Sequence, residues 1–187
     1  MLPKPFHEVP AEKQSTKRVS KTETLFLQGD YCRGLFYLSS GKIELRRYSA
    51  DGEVTVVHKA FPGATFAEAS LFTDNYHCDA LALANSHVVQ IDRLYLLDRL
   101  AKDAVFASAL LSTFARQIQT YRRKVEILSI QSAEQRVLSA LKEGWLKGSI
   151  IDFASEVGLS HEATYRALAS LAQQRIIRKT GRGRYQI

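Results

Sequence analysis

The stretch Ile150–Leu171 reads IIDFASEVGLSHEATYRALASL. Its spacing predicts two short helices joined by a tight turn. Ser149 stands where an N-cap belongs, and Asp152 three residues later fits a capping box. Phe153 and Val157 lie four apart and share an inner face, while Ala154 is small enough for a close helix crossing. Gly158 ends the first helix because it adopts positive φ without a Cβ penalty. Leu159 turns into the core, and Ser160 caps a second helix running to about Gln173. His161, Glu162, Tyr165 and Arg166 follow near its N-terminus. This is the layout of a helix-turn-helix, whose second helix lies in the major groove of DNA. An αα-hairpin that only packs has the same spacing. Thr164 and Ala167 stand where the motif usually buries larger aliphatics, so the expected core is lean.

The C-terminal residues favour the DNA reading. Ile176–Ile187, IIRKTGRGRYQI, predicts two short strands around a Gly-Arg-Gly turn. From Arg175 onward there are five basic residues and no acidic one. A basic hairpin directly after the two helices is what a wing needs to grip phosphates. The segment is therefore read as a winged helix-turn-helix.

The remainder of the 187 residues sets bounds on that reading. The formal charge of +7 favours a polyanionic partner. Beyond Ser132 the chain has nine basic and five acidic residues, so more than half of the excess sits in the smaller C-terminal part. No run of 18 apolar residues predicts a membrane span, and the first residues lack the apolar core of a signal peptide. Cys32 and Cys78 lie far apart, which fits a reducing cytoplasm and gives no disulfide framework. No nucleophile–base arrangement, phosphate loop or metal motif points to an enzyme.

Residues 1–23 read as a loose lead-in, polar and with three prolines by position 10. Short apolar runs then recur at residues 25–27, 35–38, 43–45, 54–57, 80–83 and 88–91, separated by Gly-, Asp- and Pro-containing turns. That rhythm predicts an antiparallel β-roll or jelly-roll barrel over 24–103. A short helix over 93–100 comes next. From Ala104 the pattern changes period: Ala104, Ala107, Leu111, Phe114, Ile118, Tyr121, Val125 and Leu128 alternate three and four apart. Such a heptad seam marks a coiled coil, so residues 104–132 are expected to form a dimerisation helix through Leu111, Phe114, Ile118, Tyr121, Val125 and Leu128. The competing reading is one amphipathic helix lying on its own barrel. A helix from Ala133 to about Glu143 opens the DNA-binding domain, 133–187, with Val137, Leu138, Leu141 and Trp145 toward its core. The fold class is thus α+β.

Barrel, long helix and winged helix in this order resemble the CRP/FNR family of bacterial transcription regulators. Phe26-Leu27-Gln28-Gly29-Asp30 is similar to the family's first barrel turn, and Phe36 to Ile43 to its next hairpin. Pro62-Gly63-Ala64-Thr65-Phe66-Ala67-Glu68 with Leu71-Phe72 resembles its nucleotide cassette. Val157 to Arg166 resembles its recognition segment. The resemblance covers about 24–187. It implies a cytoplasmic homodimer on an inverted-repeat operator in double-stranded DNA, with RNA polymerase as a further partner and no membrane.

Glu162 and Arg166 match the family's two main base-reading positions. The chemistry agrees, since a glutamate accepts from cytosine N4 and an arginine pairs with guanine O6 and N7. Lying four apart, they can also brace each other. His161 and Tyr165 complete the base-reading set. Phosphate contacts are expected from Ser160, Thr164, Lys179, Arg182 and Arg184.

The cassette departs from its pattern. Glu68 matches the ribose-binding glutamate. The arginine and hydroxyl that should hold a cyclic phosphate are replaced by Cys78 and Asp79. A thiol removes the charged donors, and a carboxylate repels a buried phosphodiester. The family's adenine-contacting positions fall on Tyr121 and Arg122. These five residues are the candidates for an effector pocket, but no cofactor is expected and cyclic AMP is not the ligand. His77 and Cys78 are adjacent on a strand and point to opposite faces, so they do not clasp one metal. The alternatives left open are a regulator gated by another small ligand in the barrel and a protein-binding module.

Overall fold

The computed structural model describes residues 2–187, which fall into two compact units divided between Ser112 and Thr113. The first unit is built on two four-stranded antiparallel sheets. Its strands are β1 (Gln14–Val19), β2 (Thr24–Phe26), β3 (Gly34–Ser40), β4 (Ile43–Tyr48), β5 (Val54–Ala60), β6 (Thr65–Phe66), β7 (Asp79–Ala82) and β8 (Ser86–Asp92). One sheet runs β1-β8-β3-β6 and the other β2-β7-β4-β5. The expected barrel is therefore present, and each predicted apolar run falls wholly or largely on a strand.

Alternation explains the inner face. Ala80 and Ala82 on β7, Ser86 and Val88 on β8, and Phe36 and Leu38 on β3 are all buried at i, i+2 spacing. The centre is aromatic. Phe36 stacks with Phe26 and Phe66 at centroid distances of 5.4 and 5.2 Å, and Phe26 stacks on Tyr76 at 3.9 Å. Each such ring contributes about 2 kcal/mol of burial. The other face of the first sheet is covered too. Leu35 and Ile91 pair across β3 and β8, both fully buried, where α1 (Arg93–Lys102) packs. Asp92 caps that helix through the Tyr95 N–H at 2.7 Å.

The loose lead-in expected for residues 1–23 is not what forms. Its residues 14–19 are strand β1, paired antiparallel with β8 from Gln14–Ile91 to Val19–Ser86. Ahead of β1, Phe6 is 1% exposed and meets Phe106 edge to face, with centroids 6.3 Å apart. Glu8 pairs with Arg99. Four consecutive exposed residues on β1 hid the strand from a hydrophobic pattern, because an edge strand needs only one good neighbour.

The helix α2 (Ala104–Ser129) runs unbroken as expected, about 39 Å at 1.5 Å per residue. Its first turns belong to the barrel unit, where Phe106 and Leu110 are buried, and its end to the second unit, where Ile127 is buried. The second unit continues with α3 (Ala133–Lys142), α4 (Ile150–Glu156), α5 (His161–Gln173), β9 (Arg178–Gly181) and β10 (Arg184–Gln186). Its core joins Ile127, Val137, Phe153, Val157, Leu168 and Leu171, with Leu159, Trp145 and Tyr185 partly buried against them. Ser132, Ser149 and Ser160 cap α3, α4 and α5 by accepting from the N–H three residues on, each worth about 1 kcal/mol.

Two expected outcomes test this description. Phe6→Ala should lower stability by about 3 kcal/mol in denaturant unfolding, as for a buried core ring, whereas Ser15→Ala should change it little; a neutral Phe6→Ala would return the lead-in to a loose tail. Gly34 should tolerate no side chain. A Cβ there would lie 1.8 Å from the Ile91 carbonyl oxygen, so Gly34→Ala should abolish cooperative unfolding. Gly52→Ala, with nothing within 4 Å of the new carbon, should cost only about 1 kcal/mol for its positive φ.

Candidate nucleic-acid interface

Helix α5 is built to be held from one side and offered on the other. Thr164, Ala167, Leu168 and Leu171 form its buried face. Glu162, Tyr165 and Arg166 are exposed on the opposite side, Tyr165 at 50%. Ser160 is exposed, and its Oγ accepts from the Ala163 N–H at 3.1 Å. The remaining free N–H groups of the first turn and the helix dipole make this end attractive to a phosphate. No ion pair joins Glu162 to Arg166 among the described residues, so the expected bracing is not formed and both heads face solvent.

Two of the contacts expected from the sequence change. Thr164 is fully buried, and its Oγ1 donates to the Ser160 carbonyl at 3.0 Å. It cannot touch a phosphate, because its position falls on the same helical face as Ala167, Leu168 and Leu171. His161 is half-buried with its ring edge on Tyr165, centroids 5.6 Å apart. Its Nε2 is shielded and has no partner among the described residues. In this arrangement the His161 ring packs against Tyr165 with its Nε2 turned away from solvent.

The wing is β9 and β10 joined through Arg182 and Gly183. Tyr185 anchors it by lying partly buried against the helical core, and burial pushes its phenol up, with Tyr165 adding to the rise. Lys179, Arg182 and Arg184 are all exposed, together with Arg178, which the sequence pattern did not single out. A second such residue is Arg136 on α3. Its Nε donates to the Ile130 carbonyl at 2.8 Å, and its Nη1 to those of Val157 and Gly158 at 3.2 and 3.3 Å. One guanidinium thus ties the segment after α2 to the turn that sets the direction of α5. A lone basic residue beside Val137 is the only trace it leaves in the sequence.

On α2 the predicted seam is unequally covered. Leu111, Ile118, Tyr121 and Val125 are 65, 51, 46 and 67% exposed. Phe114 is half-buried, and so is Leu128, whose Cδ2 lies 3.6 Å from where a Cβ on Gly158 would stand. Leu111, Ile118 and Val125 recur every seven residues and form an apolar stripe on a helix whose Phe106, Leu110 and Ile127 already face other residues of the chain.

In the barrel, the cassette loop is held by its own polar contacts. Ala67 sits at φ 65, a left-handed conformation that favours glycine. Glu68 accepts from the Thr65 hydroxyl. Cys78 is buried in the core, where burial pushes its thiol up, Arg47 pulls it partly back and Asp79 adds to the rise. Asp79 accepts from the Gln28 N–H at 2.7 Å. The loop is closed by Ser70 Oγ and His77 Nδ1, 3.0 Å apart, and by Arg47 donating to the His77 carbonyl at 3.0 Å. Tyr121 and Arg122 belong to the second unit and are exposed there. Among the described residues no group of three or more His, Cys, Asp or Glu side chains could hold a metal, and no helix is long and apolar enough to cross a membrane.

Comparison with known proteins agrees with this layout. Residues 16–103 match the family model of the cyclic nucleotide-binding domain. The chain is 26% identical over 164 residues to the cyclic AMP receptor protein of Thermus thermophilus, across 82% of this chain and 75% of that protein. It is 25% identical over 174 residues to a CRP-like cAMP-activated global transcriptional regulator of Mycobacterium tuberculosis, across 85% and 78%. In fold it is similar to FixK2 from Bradyrhizobium japonicum, with a TM-score of 0.71 at 20% identity over 93% of this chain and 92% of that one. Over most of its length the chain is thus similar to CRP-type transcription regulators, with a barrel that matches the cyclic nucleotide-binding domain.

Proposed function

We propose that the chain is a homodimeric, sequence-specific DNA-binding transcription regulator that works without cyclic AMP. The observation that carries this reading is the outer face of α5. A helix with a capped N-terminus offers Glu162, Tyr165 and Arg166 to solvent and is followed by a wing with four exposed basic residues. Arg166 can pair with guanine and Glu162 with cytosine in the major groove, while Ser160, Lys179, Arg182 and Arg184 take phosphates. Base contacts then set the sequence, and wing contacts set affinity and its salt dependence.

Dimerisation rests on the α2 stripe. Exposed leucine, isoleucine and valine at seven-residue intervals lose their hydration cost when a second copy covers them. Paired helices would set two α5 helices about one duplex turn apart, roughly 34 Å, on an inverted repeat. RNA polymerase is a further partner on this reading.

The exclusion of cyclic AMP rests on charge. A cyclic phosphodiester placed at the cassette would meet the buried Cys78 thiol and the Asp79 carboxylate in place of a cationic fork. A regulator gated by a different small molecule in the barrel is the second reading, and a cavity of about 300 Å³ among the strands favours it over a bare protein-binding module.

Arg166→Ala should remove the preference for specific over random DNA, a loss of about 1–3 kcal/mol at one base pair. Arg182→Ala should weaken both equally and flatten the salt dependence by about one phosphate contact. Fluorescence anisotropy at several salt concentrations reads both, and equal losses on the two DNAs for Arg166→Ala would contradict the base contact. Val125→Glu, at a position exposed in the single chain, should leave the chain folded and convert the dimer to a monomer in analytical ultracentrifugation. An unchanged sedimentation coefficient would remove α2 as the seam.

A further inference from the structure

The barrel contains a second feature, one that none of Glu68, Cys78 and Asp79 lines. A cavity of about 300 Å³ opens at the mouth formed by β1, β2, β3 and β8. Its floor is the aromatic stack of Phe26, Phe36 and Tyr76. Its rim includes Lys17, Arg33 and Gln90. The strand period explains why a lysine is there. Val19 is in the barrel core, so Lys17 two residues earlier points to the same side, and its Nζ lies 5.8 Å from the centre of the Phe36 ring. Gln90 bears the same relation to core residue Val88 and pairs directly across from Phe36. The inward row of each strand thus passes from apolar to polar as it reaches the mouth.

The cations here lack anionic partners. Neither Lys17 nor Arg33 has an ion pair among the described residues, and Gln90 makes no side-chain hydrogen bond among them. The single acid on the rim, Asp30, uses its carboxylate to accept the Leu27 N–H at 2.9 Å. Burial lowers the pKa of Lys17, and the like charge of Arg33 lowers it further. Two cations held near each other over an aromatic floor, neither of them ion-paired, are relieved by an incoming negative charge. The volume sits at the small end of ligand sites, which suits a single flat ring better than a base, sugar and phosphate together.

We propose that the mouth of the barrel binds a small aromatic carboxylate, its ring on the Phe26–Phe36–Tyr76 floor and its carboxylate between Lys17 and Arg33. This site shares no residue with the cassette and does not depend on DNA binding, so its test is made without DNA.

Isothermal titration of the full chain with 4-hydroxybenzoate, indole-3-carboxylate and the methyl ester of each tests it. The expected result is binding of at least one acid with a dissociation constant of roughly 1 mM or tighter and about tenfold weaker binding of its ester, which lacks the charge. Lys17→Met and Arg33→Met should each weaken the acid about tenfold, with the melting transition kept because both side chains are exposed. Arg18→Met, on the opposite face of β1, should leave binding unchanged. Amide shifts on titration should centre on Leu25, Tyr31 and Gln90. Absence of heat for both acids, equal affinity of acid and ester, an Arg18→Met loss matching that of Lys17→Met, or shifts centred elsewhere would each overturn the proposal.

Discussion

The burial of one face of α5 is the constraint on which the second unit depends. Thr164, Ala167, Leu168 and Leu171 are all under 5% exposed, and the two leucines contribute about 2 kcal/mol each. Small residues at 164 and 167 let the helices approach closely. With that face fixed, the 3.6-residue period leaves no choice about the other: Glu162, Tyr165 and Arg166 must point outward. Ser160 then fixes where the helix begins, Gly158 the turn before it, and Arg136 the carbonyls that the turn leaves open. These exposed polar side chains bring no cohesion of their own, so their placement is inherited from this apolar contact.

The barrel follows a parallel logic with a different outcome. Its stacked rings and alternating strands hold the loop that carries Glu68, including Ala67 at φ 65. A fold can set a loop's shape through packing and internal hydrogen bonds independently of the side chains that would meet a ligand. The match to the cyclic nucleotide-binding domain over residues 16–103 accounts for the shape.

Much of this was legible in the sequence because the signals were strong and local. The serine caps, the glycine turn and the heptad spacing each arise from neighbouring residues, and the structure has a helix boundary or stripe at every one of them. The misreadings share a cause. Gln14–Val19 has four exposed residues in a row, so an edge strand satisfied through β8 resembled a loose segment. The Thr164 hydroxyl suggested surface, yet it donates within its own helix and can therefore be buried at little cost. Arg136 and the pair Lys17 and Arg33 acquire meaning only from residues distant in the chain, which no local pattern encodes.

The central claim is that an exposed α5 face on paired chains recognises symmetric DNA unaided by a nucleotide. Selection of binding sites from random duplex DNA by the purified full chain, with no ligand added, tests it most directly. The account predicts enrichment of an inverted repeat whose half-site centres lie about one helical turn apart. Enrichment of unrelated or asymmetric sequences, or selection that succeeds only when cyclic AMP is supplied, would contradict it.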